Sequence, residues 1–243
     1  YAIGHQFEGG FSEEMILNEL TLTYGPVQKI SDRITFDEAA LAEPLACCIN
    51  GYEVGLMASG KDVVIFGAGP IGMMLADLAP VYQAEKIILV DPNQSRLEKA
   101  KELGVVNTVI NPTKKDPVDE VLRLTEGQGA GLIFTACPDV ETHSQGIKML
   151  AKRGVLNLFG GLPKGTPPIE LESNFIHYQE AVITGSHGST PEQHKKALSL
   201  IENGEVDVKR LISCSYNLDN LHEAYEKAAS GEAIKVIVKP NGT

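Results

Sequence analysis

Positive charge is scarce in this sequence: 21 lysines and arginines stand against 32 aspartates and glutamates, a net charge of −11. A nucleic-acid or anionic-membrane surface needs clustered Lys and Arg to neutralise phosphates, so both partner classes are disfavoured. One dinucleotide is still admissible, because backbone amides and one or two bases can neutralise it locally. Long hydrophobic runs are also missing; the longest apolar stretches are far too short to cross a bilayer, and no signal-peptide pattern opens the sequence. The four cysteines, Cys47, Cys48, Cys137 and Cys214, form no C-x-x-C pair and no Cys/His cluster with closed zinc spacing. The adjacent pair Cys47–Cys48 is a poor candidate for an unstrained disulfide, so a reducing cytoplasm is the simple expectation. Each thiol reads first as a small buried apolar side chain. No internal repeat beyond two βαβ halves appears, and no low-complexity linker. At 243 residues, 43% apolar and 22% charged, the chain can bury a sizeable core and is neither disordered nor membranous in composition.

What is present is most concentrated between Val63 and Asp91. The apolar run Val63 to Phe66 enters Gly67-Ala68-Gly69-Pro70-Ile71-Gly72, a helix-like stretch follows, and a second run, Ile87 to Val90, ends on Asp91. This is G-x-G-x-x-G in its full strand, turn, helix, strand and acid context. Gly67 permits the tight turn. Gly69, without a Cβ, lets backbone approach a pyrophosphate, and Gly72 lets the helix pack closely on the strand. The helix N-terminus, opened by Pro70 and Ile71, offers N–H groups and partial positive charge to phosphates. Asp91, nineteen positions after Gly72, is placed to accept hydrogen bonds from both hydroxyls of an adenosine ribose. The segment therefore predicts dinucleotide binding, with NAD favoured over NADP because a 2′-phosphate would meet the Asp91 charge.

The order of the remaining segments predicts the architecture. Gln94–Leu103, Pro117–Thr125, His143–Ala151 and Pro191–Asn203 read as helices; Val105–Ile110, Leu132–Ala136, Val155–Phe159 and Ala181–Thr184 read as strands. Pro80 should end or kink the first helix early. Alternating strands and amphipathic helices mean βαβ units on a parallel sheet, and six strands between Val63 and Thr184 make a complete doubly wound domain. The flanks differ. Residues 10–35, with MILNELTLTY, suit antiparallel strands; SCSYNL and IKVIVKP read as strands around a helix from Leu218 to Ala229.

GGFSEEMIL, ALAEPLACCINGYE, VVIFGAGPIGMMLADLA, DPNQSRLEKAKELG, TGSHGST and the tail from Val206, taken in order, resemble the medium-chain dehydrogenase/reductase family. The likeness is to its zinc-dependent polyol, sorbitol and threonine dehydrogenase branch. It implies an α/β fold: a six-stranded Rossmann sheet over 51–204, with 1–50 and 205–243 as parts of a GroES-like, β-rich catalytic domain. In the family, roughly one hundred residues precede the GGF segment, about a small domain. They carry the Cys and His-Glu ligands of a catalytic zinc, so Tyr1 resembles an internal point and the sequence a C-terminal portion. His5 in GHQFEGG lies beyond the zinc lobe by position and is not expected to bind metal.

Residue by residue, the resemblance places Glu43 at or beside the catalytic zinc and Cys47, as a packing residue, near the nicotinamide. A catalytic zinc needs three protein ligands and an open position, which one carboxylate cannot supply; an exposed acid in a helix's first turn remains the plain alternative for Glu43. Arg96 falls near the adenosine, with a surface pairing equally open. Ala136, Phe159, Gly160 and Ser186 end strands facing the nicotinamide half, and Lys235 matches a basic position that reaches the pyrophosphate, with a solvated surface lysine equally open. Where sorbitol-type members carry an aromatic-Arg pair, this chain has His187-Gly188, which weakens sorbitol itself as a substrate. The resemblance thus implies an NAD-linked alcohol or polyol dehydrogenase acting on a small molecule, with zinc in the full-length parent. A homo-oligomer, dimer or tetramer, is expected with it. A zinc-free NADPH-dependent reductase and a non-catalytic dinucleotide-binding module remain as alternatives.

Overall fold

The structure is a computed structural model that describes residues 3–55 and 62–240; Tyr1 lies outside them. Contacts divide the chain into two units, residues 1–41 with 198–243 and residues 42–197.

In the smaller unit, the strand expectation for residues 10–35 is corrected. Glu19–Tyr24 is a helix, α1, and no strand lies in residues 10–35 among the described residues. Asn18 sits in extended backbone and accepts the Thr21 N–H at 2.9 Å, while its carbonyl accepts the Leu22 N–H. That N-cap starts a helix, and alternation alone cannot oppose it without a neighbouring strand to pair with. Helix α2, Phe36–Ala39, opens with a capping box between Thr35 and Glu38.

The larger unit begins with α3, Ala42–Val54, and then builds the sheet: β1 Val63–Phe66, α4 Pro70–Leu78, β2 Ile87–Val90, α5 Gln94–Glu102, β3 Thr108–Ile110, α6 Pro117–Leu124, β4 Ala130–Thr135, α7 Glu141–Lys148, β5 Leu150–Leu158, α8 Ser173–Gln179 and β6 Val182–Gly185; helix α9, Pro191–Glu202, starts in this unit and ends in the smaller one. The six strands pair in parallel in the order β3-β2-β1-β4-β5-β6. The order reverses at β1/β4, where a doubly wound sheet opens its ligand crevice. Strands β1, β2 and β4 are buried on both faces, as their nearly continuous apolar runs require. One face sets Val64, Phe66, Ile88, Val90, Ile133 and Leu156 against Val121 and Ile147 of α6 and α7. The other sets Phe134 against Tyr52 of α3, with ring centroids 4.9 Å apart. Each such fully buried side chain stabilises by about 1.5–3 kcal/mol.

Several boundaries move for local reasons. β3 starts at Thr108 rather than Val105, because the Asn107 side chain accepts the Ile87 N–H at 2.7 Å before the ladder begins. α7 starts at Glu141, whose N–H is capped by Asp139 at 3.0 Å, and it ends at Lys148 because Leu150 already pairs with Ala130. β5 therefore begins well before Val155. Pro80 ends α4 at Leu78 and leaves a 3-10 turn over Ala79–Tyr82.

The smaller unit resumes with β7, Ile212–Asn217, α10, Leu221–Ala229, and β8, Lys235–Lys239. The two strands pair in parallel, so α10 is their crossover connection. Within this unit Asp37 meets Lys239 at 3.1 Å, and Glu202 accepts the Ser31 N–H at 2.9 Å. Ile16 and Phe36 stand 94% and 83% exposed.

Candidate functional site

The turn after β1 is shaped by three glycines with different burdens. Gly67 has φ +104°, and a Cβ there would lie 2.8 Å from the Ala136 carbonyl oxygen. Gly72 is closer still: its Cβ would fall 1.7 Å from the Gly67 carbonyl oxygen. Gly69 is the reverse case, since a Cβ there would meet nothing within 4 Å. It caps α4 without a side chain, with Pro70 following at the first helical position and the first intrahelical bond made by the Met73 N–H to Gly69 O. The N–H groups of Ile71 and Gly72 thus have no intrahelical acceptor. Two glycines are needed for the chain to pass itself; the third leaves open a cradle that a side chain would fill. That arrangement fits a pyrophosphate.

Asp91, directly after β2, is 5% exposed. Its Oδ2 accepts the Ala68 N–H and its Oδ1 the Asn93 N–H, both at 2.7 Å. Each carboxylate oxygen retains a lone pair. Asn93 in turn caps α5, which holds the half-buried Arg96 in its first turn.

The other predicted positions end neighbouring strands of the same sheet. Ala136 donates its N–H to Phe66 O at 2.8 Å, and Gly160 donates to Thr135 O at 2.7 Å. Phe159 packs edge-on against Phe134, centroids 6.2 Å apart. Ser186 follows β6 and donates its hydroxyl to Asn157 Oδ1 at 3.1 Å. Gly67, Gly69, Pro70, Ile71, Gly72, Asp91, Arg96, Ala136, Phe159, Gly160 and Ser186 all belong to the larger unit. Lys235 opens β8 in the other unit.

Glu43 stands exposed in the first turn of α3. The Cys47 thiol donates to its Oε1 at 3.3 Å; Ser189 Oγ lies 3.8 Å from that sulfur and 3.1 Å from His194 Nε2. Burial, reinforced by the Glu43 carboxylate, pushes the Cys47 thiol up to about 11, and burial pushes Cys48 up as well. Both are protonated at neutral pH. No group of three or more His, Cys, Asp or Glu side chains among the described residues could hold a metal ion. Glu43 therefore does not make a zinc site with the other described residues. His5 is exposed, in the smaller unit.

Sequence reasoning missed the polar side chains behind the strand ends. Asn157, Asn50, Gln193 and His194 are all hydrogen-bonded there. The one available signal was a polar residue, Asn157, inside the apolar run Val155–Phe159.

The family model described as zinc-binding dehydrogenase matches residues 70–203. A sorbitol dehydrogenase of Halalkalibacterium halodurans is 32% identical over 239 residues, which cover 98% of this chain and 67% of the relative. An (R,R)-butanediol dehydrogenase of Neisseria gonorrhoeae is 28% identical over 240 residues, covering 96% and 64%. Among solved structures, a Sinorhizobium meliloti protein of the zinc-binding dehydrogenase type, bound to NADP, aligns with a TM-score of 0.81 at 26% identity, covering 88% of this chain and 62% of that one. The chain thus spans 62–67% of the length of these relatives.

Proposed function

The chain belongs to the zinc-binding dehydrogenase family, and we propose that it is the dinucleotide-binding portion of an alcohol or polyol dehydrogenase. The proposed reaction is reversible hydride transfer between a secondary alcohol and NAD. One observation carries the reading: the Asp91 carboxylate is bonded to the turn that holds the open Gly69 position, with a free lone pair on each oxygen. On this reading Asp91 accepts the two ribose hydroxyls. Gly67, Gly69, Pro70, Ile71 and Gly72 shape the pyrophosphate cradle, and Arg96 flanks the adenosine. Ala136, Phe159, Gly160 and Ser186 line the nicotinamide half, and Lys235 is assigned to the pyrophosphate. A nicotinamide held there would supply the hydride donor or acceptor.

NAD is preferred over NADP on electrostatic grounds. A 2′-phosphate about 4 Å from a carboxylate costs on the order of 4 kcal/mol at an effective dielectric constant near 20. Even half of that, about 2 kcal/mol, is more than tenfold in affinity.

Residues 1–50 and 205–243 are assigned to a catalytic domain of the GroES-like type. Glu43 is assigned as its acid nearest the metal of the parent protein. The substrate is a small alcohol or polyol, and the parent is a homo-oligomer.

The test is titration with NADH and NADPH, followed by intrinsic nicotinamide fluorescence. Saturable binding that favours NADH and is markedly weakened in Asp91→Ala is expected. Unchanged NADH affinity in that variant would remove the ribose assignment, and a preference for NADPH would overturn the choice of NAD.

A further inference from the structure

The segment Ser186–Ser189, which leaves β6 at its carboxyl end, is held by two asparagines from behind. Asn157 is 0% exposed, and both ends of its amide are used. Its Nδ2 donates to the Gly51 carbonyl of α3 at 2.9 Å, and its Oδ1 accepts the Ser186 hydroxyl at 3.1 Å. The orientation is forced, because a carbonyl oxygen can only accept. Asn50, the neighbouring residue of α3, donates its Nδ2 to the Gly188 carbonyl at 2.9 Å, while its Oδ1 accepts from Gln193 at 3.2 Å. Both ties therefore end on consecutive residues of one helix.

The close approach that makes this possible is built in. A Cβ on Gly51 would lie 2.9 Å from the Phe159 ring and 3.2 Å from the Phe134 ring. Only glycine lets α3 come near enough for its carbonyl to reach Asn157. Gly188, at the far end of the segment, has φ +69°, a conformation glycine adopts without strain. Asn157 is buried with a bond at each end of its amide, so displacing either partner strands a buried polar atom; the Asn50–Gly188 tie is solvent-accessible and reinforces it.

We propose that Asn157 and Asn50 are positioning residues that fix the Ser186–Ser189 segment against α3 so that it can receive the nicotinamide half of the cofactor. The inference rests on the dinucleotide reading above. It adds that recognition of the two halves is separable. The Gly67–Asp91 region holds the adenosine diphosphate part, and the two asparagines act only on the nicotinamide end. Because the same helix carries Glu43, the ties also set the nicotinamide segment and that acid on one rigid element.

Calorimetric titration with NADH and with ADP-ribose separates the two halves, in the unaltered chain and in Asn157→Leu and Asn50→Ala. ADP-ribose contains everything but the nicotinamide, so its binding also reports that the variant is folded. The unaltered chain should bind NADH more tightly than ADP-ribose. Asn157→Leu should lose about tenfold in NADH affinity, as for loss of one buried hydrogen-bonded link, and Asn50→Ala, whose bond to Gly188 is exposed, about fivefold, while both keep ADP-ribose affinity within about twofold. Equal losses for both ligands, unchanged NADH affinity, or NADH bound no more tightly than ADP-ribose by the unaltered chain would each overturn the proposal. If Asn157→Leu does not fold, the half-buried Asn50 decides with the same pair of ligands. Failure of the unaltered chain to bind ADP-ribose would instead overturn the dinucleotide reading itself.

Discussion

Ala68 donates its backbone N–H to Asp91 Oδ2 at 2.7 Å, so the acid that follows β2 is fastened to the glycine turn that follows β1. The glycine turn and the acid are thereby one unit, and a change at Asp91 is felt in the turn as well.

Replacing Asp91 with Ser removes the negative charge and leaves a hydroxyl that can still meet a ribose or a phosphate. NADPH affinity should rise relative to NADH by an order of magnitude or more, on the order of 1.4 kcal/mol. Parallel fluorescence titrations check this; an unchanged NADH/NADPH ratio would mean that Asp91 does not face the 2′ position. The melting temperature should also fall by several degrees, because the Ala68 and Asn93 amides lose a charged acceptor.

Gly69 and Gly72 should separate binding from folding. A methyl at Gly72 has nowhere to go, with the Gly67 carbonyl oxygen 1.7 Å away, so Gly72→Ala should be unfolded or lose about 3 kcal/mol or more in denaturant titration. Gly69→Ala enters open space at an ordinary φ of −79° and should leave stability within about 0.5 kcal/mol while weakening NADH. A stable Gly72→Ala would contradict the packing; a Gly69→Ala that binds normally would contradict the cradle.

His143 in α7 is 4% exposed, and its Nε2 has no hydrogen-bond partner among the described residues. Burial pushes its pKa below the ordinary 6.5, with Asp139 opposing. The unfolded chain therefore binds a proton that the folded chain refuses, and stability falls as pH drops below about 6.5. His194 is shifted the same way by burial. Between about pH 7.5 and about pH 5.5 the melting temperature should decrease, and His143→Leu should reduce that decrease. An identical pH slope in the variant would exclude His143 as its source.

Cys47 should be a sluggish nucleophile, because its thiol is pushed up to about 11 by burial and by Glu43. Alkylation at Cys47, followed by peptide mass mapping, should be slow at neutral pH and rise about tenfold per pH unit as the thiolate forms. Glu43→Gln removes the adjacent charge and should speed it; no change would mean that burial alone sets its reactivity.

The cleft was legible because its information is local. The glycine spacing, the two apolar runs and Asp91 each act within a few residues of their position in the chain, and β1 and β2 fall where those runs fall. Glu19–Tyr24 was illegible for the opposite reason: its alternation favours a strand, but a strand exists only with a partner, and the Asn18 cap acted first. Asn157 was unreadable as a link, since nothing in the run VLNLF says that Gly51, 106 residues earlier, lies within hydrogen-bond reach.

The sequence by itself determined a doubly wound sheet and a turn able to take a pyrophosphate, because periodicity and glycine conformational freedom are properties of the chain. Tertiary structure decided which acids and amides share a surface. Asp91 meets Ala68 and Asn157 meets Gly51 only after the parallel strands align and α3 packs on them. Hydrogen bonds between residues far apart in sequence depend on that packing and have no local signature.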